Sequence, residues 1–296
     1  MTTISILTAV YNESLYVADM IASVLAQTHE DLELVIVDDG STDDTVARAR
    51  AAAGSDPRVV IIAEGEKLGK VGAFNRAYAE SSGGAVVLLG GDDIVPPDSL
   101  EHRLDVLDGA AEGTPADAAF FRLKTFSTNP KFDGMVLPRK DTGNRSGGTV
   151  IMRRELADSV FPIDESLVAE DIWIALVIDH LAQTVRSSGH VVLNYRIHAH
   201  NSNPRHLPFD KMTQSLHRRM LPYRLIRESS RFSLSREEEQ RFRVREQLEA
   251  LRVDGRGLAI LRLGSAPLVE RLRAFSSSGP RVHALRSRLY RLFSGW

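Results

Sequence analysis

Three features of the first hundred residues predict an α/β fold built on a mostly parallel sheet. Short, almost wholly apolar runs alternate with amphipathic stretches, and each run ends in a turn-rich polar phrase. Strands covered by helices on both faces read as continuous apolar runs, and strands alternating with helices imply right-handed βαβ units. The runs are "TISILTAV" (3–10), "LELVIVDD" (32–39), "RVVIIAE" (58–64) and "AVVLLGG" (85–91). Between the first two, residues 14–27 place Val17, Ile21, Val24 and Leu25 on one helical face. Ser41, with Asp44 three residues on, reads as a shortened capping box opening the next helix. Phe74, Ala77 and Tyr78 mark a third.

The middle of the chain is less patterned. A loop-like stretch, 131–148, leads into a strand "TVIMRR" (149–154). A helix is expected from about Glu170 and a strand over 190–200. From 209 onward the pattern is helical: 209–231, then 235–252 opened by a "SREE" capping box, then shorter pieces divided by "DGRG" and "SSSGP". The expected division is a domain over 1–205 and a helical extension over 206–296.

Composition narrows the function. At 296 residues the length suggests about two domains. A net charge of −2 argues against a nucleic-acid-binding protein, and the absence of cysteine excludes disulfides, thiolate metal sites and thiol nucleophiles. The N-terminus lacks the basic region of a signal peptide, and no apolar run reaches about 18 residues, so a cytoplasmic protein is expected. Charge is uneven: from Arg262 onward there are seven arginines and one acid, Glu270.

Ligands of open α/β sheets bind beyond the carboxyl ends of the strands. The phrases "TAVYNE" (8–13), "DDGSTDD" (38–44) and "GGDD" (90–93) should therefore crowd one rim. A turn and a helix start explain Gly40 and Ser41, but not two aspartate pairs on the same rim. Such pairs repel and call for a positive charge. Two other motifs fail: "GEKLGKVG" (65–72) is one residue short of a Walker A loop and has Val71 where a hydroxyl is needed, and no G-x-G-x-x-G follows the first strand.

Six phrases in order give the chain a resemblance to the family 2 glycosyltransferases, which have the Rossmann-like GT-A fold. They are "SILTAVYNE", "LVIVDDGSTDDT", "GKVGAFNRAYAESSGG", "LLGGDDIVPPDSL", "AEDIWIALV" (169–177) and "YRIHAHNSN" (195–203), and together they cover about residues 3–203. The resemblance implies an inverting, metal-dependent transfer from a nucleotide-diphosphate sugar to the hydroxyl of a glycan or lipid-linked glycan. It assigns Asp92 to Mn²⁺ or Mg²⁺, with His198 helping to hold the metal or the diphosphate and Asp93 beside them. His200 would point the same way as His198 in an extended segment. The family's commonest version carries an acid where this chain has Gly90.

The resemblance further implies that Asp38 and Asp39 read the nucleotide, with Thr8, Tyr11 and Glu13 completing the pocket. A carboxylate accepts from the N3–H of uracil or thymine, which favours UDP or dTDP donors. Lys70 offers a charge to the diphosphate or is a solvated helix lysine. Glu170 and Asp171 suit a helix start, and the family makes the aspartate of this pair the general base. Two alternatives are a catalytically degenerate scaffold subunit and a sugar-phosphate nucleotidyltransferase, although the latter calls for a basic, glycine-rich loop absent from "TAVYNES". Residues 281–296, "RVHALRSRLYRLFSGW", form a basic amphipathic helix. Its apolar face either lies on a membrane, at the inner face of the cell membrane, or packs on the catalytic domain or a second subunit.

Overall fold

The computed structural model describes residues 2–293 except Glu66, Glu112, Asp141, Ala169 and 199–207, and in 287–293 the backbone alone. His200, Trp296 and the expected domain junction at 205/206 lie outside the described residues. Two compact units are present, 1–198 and 199–296.

Unit 1 is an α/β layer structure around one eight-stranded sheet. Strand β1 (Ile4–Val10) lies at its centre, with β2 (Leu32–Asp38) on one side and β4 (Ala85–Gly90) on the other. All three are parallel, and β3 (Val59–Ile62) extends the parallel set beyond β2. The helices α1 (Val17–Leu25), α2 (Thr45–Ala53) and α3 (Gly69–Ala79) alternate with these strands, as the sequence pattern requires. Past β4 the direction changes. Strand β7 (Val150–Arg153) runs antiparallel to β4, and β5 (Ala118–Phe126) runs antiparallel to β7. A short β6 (Val136–Leu137) and the long β8 (Val185–Arg196) both pair with β5, the latter in parallel.

Alternate residues of β1, Ile4, Ile6 and Val10, join Val17, Met20 and Ile21 of α1 in one core with Leu34, Ile36, Val87 and Leu89. Among the helices that follow β4 are α4 (Ser99–Asp108) and α5 (Arg154–Val160). Arg103 of α4 is fully buried. Its guanidinium donates to the carbonyls of Val150 (2.8 Å) and Gly148 (2.6 Å), tying α4 to β7, while burial pushes its pKa down to about 9. Carbonyls compensate that desolvated cation where a carboxylate is absent.

Two local expectations are corrected. Ser41 does not cap α2, which begins at Thr45. The Ser41 N–H donates to Asp38 Oδ2 and its hydroxyl accepts from the Asn12 N–H, so the turn consumes it and the helix starts four residues later. The expected helix over 209–231 is two, α7 (Phe209–Arg218) and α8 (Leu221–Glu228), with Pro222 in the first turn of α8. Proline lacks the N–H that a continuous helix would use there.

Helix α6 (Glu170–Leu181) starts where expected. In unit 2, Ser235 caps α9 (Arg236–Val253) through the expected reciprocal box with Glu238. Val244 and Leu248 pack there with Ile260 of α10 (Gly257–Arg262) and with Ala266. Two further helices, α11 (Leu268–Phe275) and α12 (Pro280–Phe293), complete the unit. Among the described residues no helix is long and apolar enough to cross a membrane.

Candidate active site

The parallel register brings the three acidic or polar phrases to one rim. Val10 at the end of β1 pairs with Asp38 at the end of β2, and Ala9 pairs with Gly90 at the end of β4. Asn12 cross-links the first two phrases from a left-handed backbone conformation (φ 56°). Its side-chain carbonyl accepts from the Thr42 N–H at 2.8 Å.

The first aspartate pair divides its work. Asp39 caps α3: its Oδ1 accepts from the N–H groups of Leu68 and Gly69, both at 2.7 Å, and its Oδ2 lies 3.3 Å from Lys67 Nζ. The same ammonium rests on the Tyr11 ring, 3.0 Å from its centroid. Asp38 uses Oδ2 for the Ser41 N–H, but its Oδ1 is buried without a hydrogen-bond partner, as is Thr8 Oγ1. Buried polar atoms left in this way mark a place where a ligand or water completes the bonding. A cavity of about 320 Å³ lies beside Asp38, lined also by Ile62, Leu68, Asn75, Arg76 and Glu165. That is the size of a small-molecule site.

The second pair sits where β4 ends. Asp92 Oδ2 is 2.9 Å from His198 Nε2, and both side chains are mostly buried. Asp93 is more deeply buried, and its Oδ1 accepts from the Arg196 N–H at 2.9 Å. Burial, then the Asp92 charge beside it, raises the Asp93 pKa well above the ordinary carboxylate range. Glu13 faces the same charge: burial first, then Asp92 and Asp43, push it up to about 7. The carboxylates reach back over Gly90, where a side chain would collide with both. Three carboxyl groups, Glu13, Asp92 and Asp93, thus stand close together at this turn.

Across the rim, Lys70 of α3 holds Glu170 of α6 at 2.5 Å. The Lys70 side chain is still half exposed; partial desolvation works against its charge, but Glu170, then Asp171 and Asp92, more than restore it, and its pKa is raised. One ammonium thus feels the carboxylates of both sides. Asp171 is half-buried at the second position of α6, with Oδ1 accepting from the Ile172 N–H.

The structure therefore gathers Thr8, Glu13, Asp38, Asp92, Asp93, Lys70, Asp171 and His198 around one rim. Asp39 and Tyr11 lie there too, engaged with α3 and Lys67. Three participants were not singled out from sequence: Lys67, Glu170 as the partner of Lys70, and Arg196. Arg196 stands two residues before His198, so a period of two, applied backwards from His198, would have put both on the same side. Nothing in "GEKLGK" distinguishes Lys67 from Lys70.

Asp92 and His198 form a donor set suited to a divalent cation, an anionic oxygen beside an imidazole nitrogen. Among the described residues no cluster of three His, Asp or Glu side chains could hold a metal. The pair fits a cation that takes its remaining ligands from a diphosphate and water, as Mg²⁺ sites do.

The model for glycosyl transferase family 2 matches residues 5–161, more than half of the chain. The chain belongs to glycosyl transferase family 2. Asp171 and His198 lie beyond the matched residues. An uncharacterised family relative, a glycosyltransferase of Nostoc sp., is 31% identical over 228 residues, covering 68% of this chain and 66% of its own length. The first curated relatives are spanned over 32% to 66% of their length. Among solved structures, S. aureus TarS in complex with UDP-GlcNAc aligns with 96% of this chain and 84% of its own, at TM-score 0.63 and 18% identity. The mannosyltransferase PcManGT from Pyrobaculum calidifontis, in complex with GDP-Man and Mn²⁺, aligns with 98% of this chain and 79% of its own, at TM-score 0.60 and 18% identity. These likenesses establish a GT-A-like fold.

Proposed function

We propose that this family 2 chain is an inverting, metal-dependent glycosyltransferase that takes its sugar from a UDP or dTDP donor. The acceptor in this reading is a hydroxyl of a glycan or lipid-linked glycan. The observation that carries it is the meeting of the Asp92–His198 pair with the Lys70–Glu170–Asp171 group at one rim. Asp38 Oδ1, buried and unpartnered beside the cavity, and Thr8 Oγ1, buried and unpartnered on the neighbouring strand, support the nucleotide end of the site.

Asp92 and His198 would hold Mn²⁺ or Mg²⁺, which supplies Lewis-acid neutralisation of the diphosphate leaving group. Asp38 accepts from the base or ribose. Lys70 presents a positive charge between the two sides of the rim. Asp171 takes the proton of the acceptor hydroxyl as its oxygen bonds to the anomeric carbon and the bond from that carbon to the diphosphate oxygen breaks. A single displacement inverts the configuration. The basic residues Arg281 and Arg286 of α12 support peripheral contact with an anionic membrane, where a lipid-linked acceptor would reside.

A panel of UDP-, dTDP- and GDP-sugars incubated with the protein and Mn²⁺ tests the reading through release of the nucleoside diphosphate. UDP- or dTDP-sugars should be consumed, and excess EDTA or Asp92→Ala should abolish the reaction. Full activity under either condition would sink the metal assignment. Tighter displacement by GDP than by UDP would overturn the choice of donor.

A further inference from the structure

Arg196 is the last residue of β8, two positions before His198, and four residues of unit 1 converge on its side chain. Its Nε donates to the main-chain carbonyl of Asp92 at 2.7 Å. Its outer nitrogen reaches Asp19 of α1 at 3.3 Å. The guanidinium lies between two rings, Tyr16 before α1 and Phe126 at the end of β5, each 4.5 Å from it. Tyr16 in turn packs on the His198 ring, with centroids 4.9 Å apart. The main-chain N–H of the same residue holds Asp93 Oδ1.

We propose that Arg196 is a positioning residue that sets the Asp92–Asp93 turn and the His198 ring in register with one another. The inference rests on the reading of that turn as the cation and diphosphate site. The turn itself is anchored by the Asp93 N–H to the Gly90 carbonyl at 3.3 Å and by the bridge between Ile94 and Asn194. The first of these holds the Asp92–Asp93 peptide by its N–H, and the Arg196 Nε bond holds the same peptide by its carbonyl. Both sides of that peptide are thus secured, the carbonyl side from the strand end that leads two residues on to His198. Two ligands 106 positions apart in sequence thereby share one clamp.

The chemistry asks for arginine. A planar guanidinium can lie flat between two rings while one edge donates to a carbonyl and the other to a carboxylate. A lysine ammonium is a point charge on a flexible stem and cannot make both edge contacts at once. The cation also favours the charged forms of Asp93 and Glu13, both of which feel the Asp92 charge.

Two measurements on the full chain decide the matter. Hydrogen exchange of the amides in 88–95 reports the turn directly and needs neither metal nor substrate. Titration with Mn²⁺ plus UDP reports the site. Arg196→Met should speed exchange in 88–95 about tenfold and weaken Mn²⁺–UDP binding about 10–100-fold, the usual cost of losing an outer-shell partner. Arg196→Lys should recover part of the affinity through charge but leave the exchange fast, a split that a merely structural role would not produce. Wild-type exchange in 88–95 in the Met variant would overturn the proposal, and so would unaltered Mn²⁺–UDP affinity. Should the wild-type protein itself fail to bind Mn²⁺–UDP, the metal reading falls, and the exchange measurement alone decides the role of Arg196.

Discussion

A methyl group added at Gly90 would stand 2.9 Å from Asp92 Oδ1 and 3.0 Å from Asp93 Oδ2. Ordinary contact at such a carbon begins near 3.4 Å, so in Gly90→Ala each oxygen has to retreat by about 0.4–0.5 Å. Both atoms are side-chain ends, so they can move without disturbing the strand. Gly90 has no positive φ, so alanine fits the backbone there and restricts the unfolded chain, a gain of about 0.4–1 kcal/mol that offsets the displacement. The melting temperature should therefore change by no more than about 3 °C. Function is less forgiving, because a constellation of ligands tolerates displacements of about 0.5 Å. Mn²⁺–UDP affinity, read by calorimetric titration, is expected to fall about tenfold, with turnover falling at least as far. Gly90→Asp, which restores the acid common in the family, should do no better, because it brings the same β-carbon and a third charge. Wild-type affinity and turnover in Gly90→Ala would show that the carboxylates are not functional where the structure places them.

Asp171→Asn should lose about 10²–10⁴-fold in turnover, the contribution of a positioned base, with donor binding nearly unchanged; near-normal turnover, or a loss of donor binding instead, would refute its role. Glu13 is the pH-sensitive group: its pKa is raised from 4.5 to about 7 in the fold, so the folded state binds the extra proton and loses stability as pH rises through that window. In EDTA, Glu13→Gln should raise the melting temperature at pH 8 and leave it nearly unchanged at pH 4, and an equal shift at both would contradict this. Deleting 281–296 should abolish salt-sensitive sedimentation with anionic vesicles, and equal sedimentation of both proteins would leave α12 a packing role.

Strands β1 to β4 were legible because each is short and apolar, and because each hands over to a helix within a few residues. β5 was not, although "AAFFRLKTF" is as apolar at its start. Its partners β7 and β8 come dozens of residues later, and the insertion of β7 between β4 and β5 is a long-range choice that local periodicity does not encode. The same limit applies to the site. Asp92 and Asp93 stood out because two adjacent acids at a strand end have no structural use. That Asp39 caps α3, 29 and 30 residues away, depends on where the loop before that helix folds back. Side chains committed to contacts of this kind cannot be separated from open ones in the sequence, whereas the acidic character of the rim can.

In the proposed reaction, the ion pair between Lys70 and Glu170 would link donor and acceptor binding thermodynamically. An anion that draws Lys70 away leaves Glu170, 8% exposed, without its counter-ion at the start of α6, next to Asp171. Donor affinity is reduced by the cost of that separation, and by reciprocity any acceptor that bonds to Glu170 in place of Lys70 strengthens donor binding by the same factor. The coupling acts equally in both directions through a single shared cation, and an acceptor analogue that touches α6 alone would report it as a shift in the UDP dissociation constant.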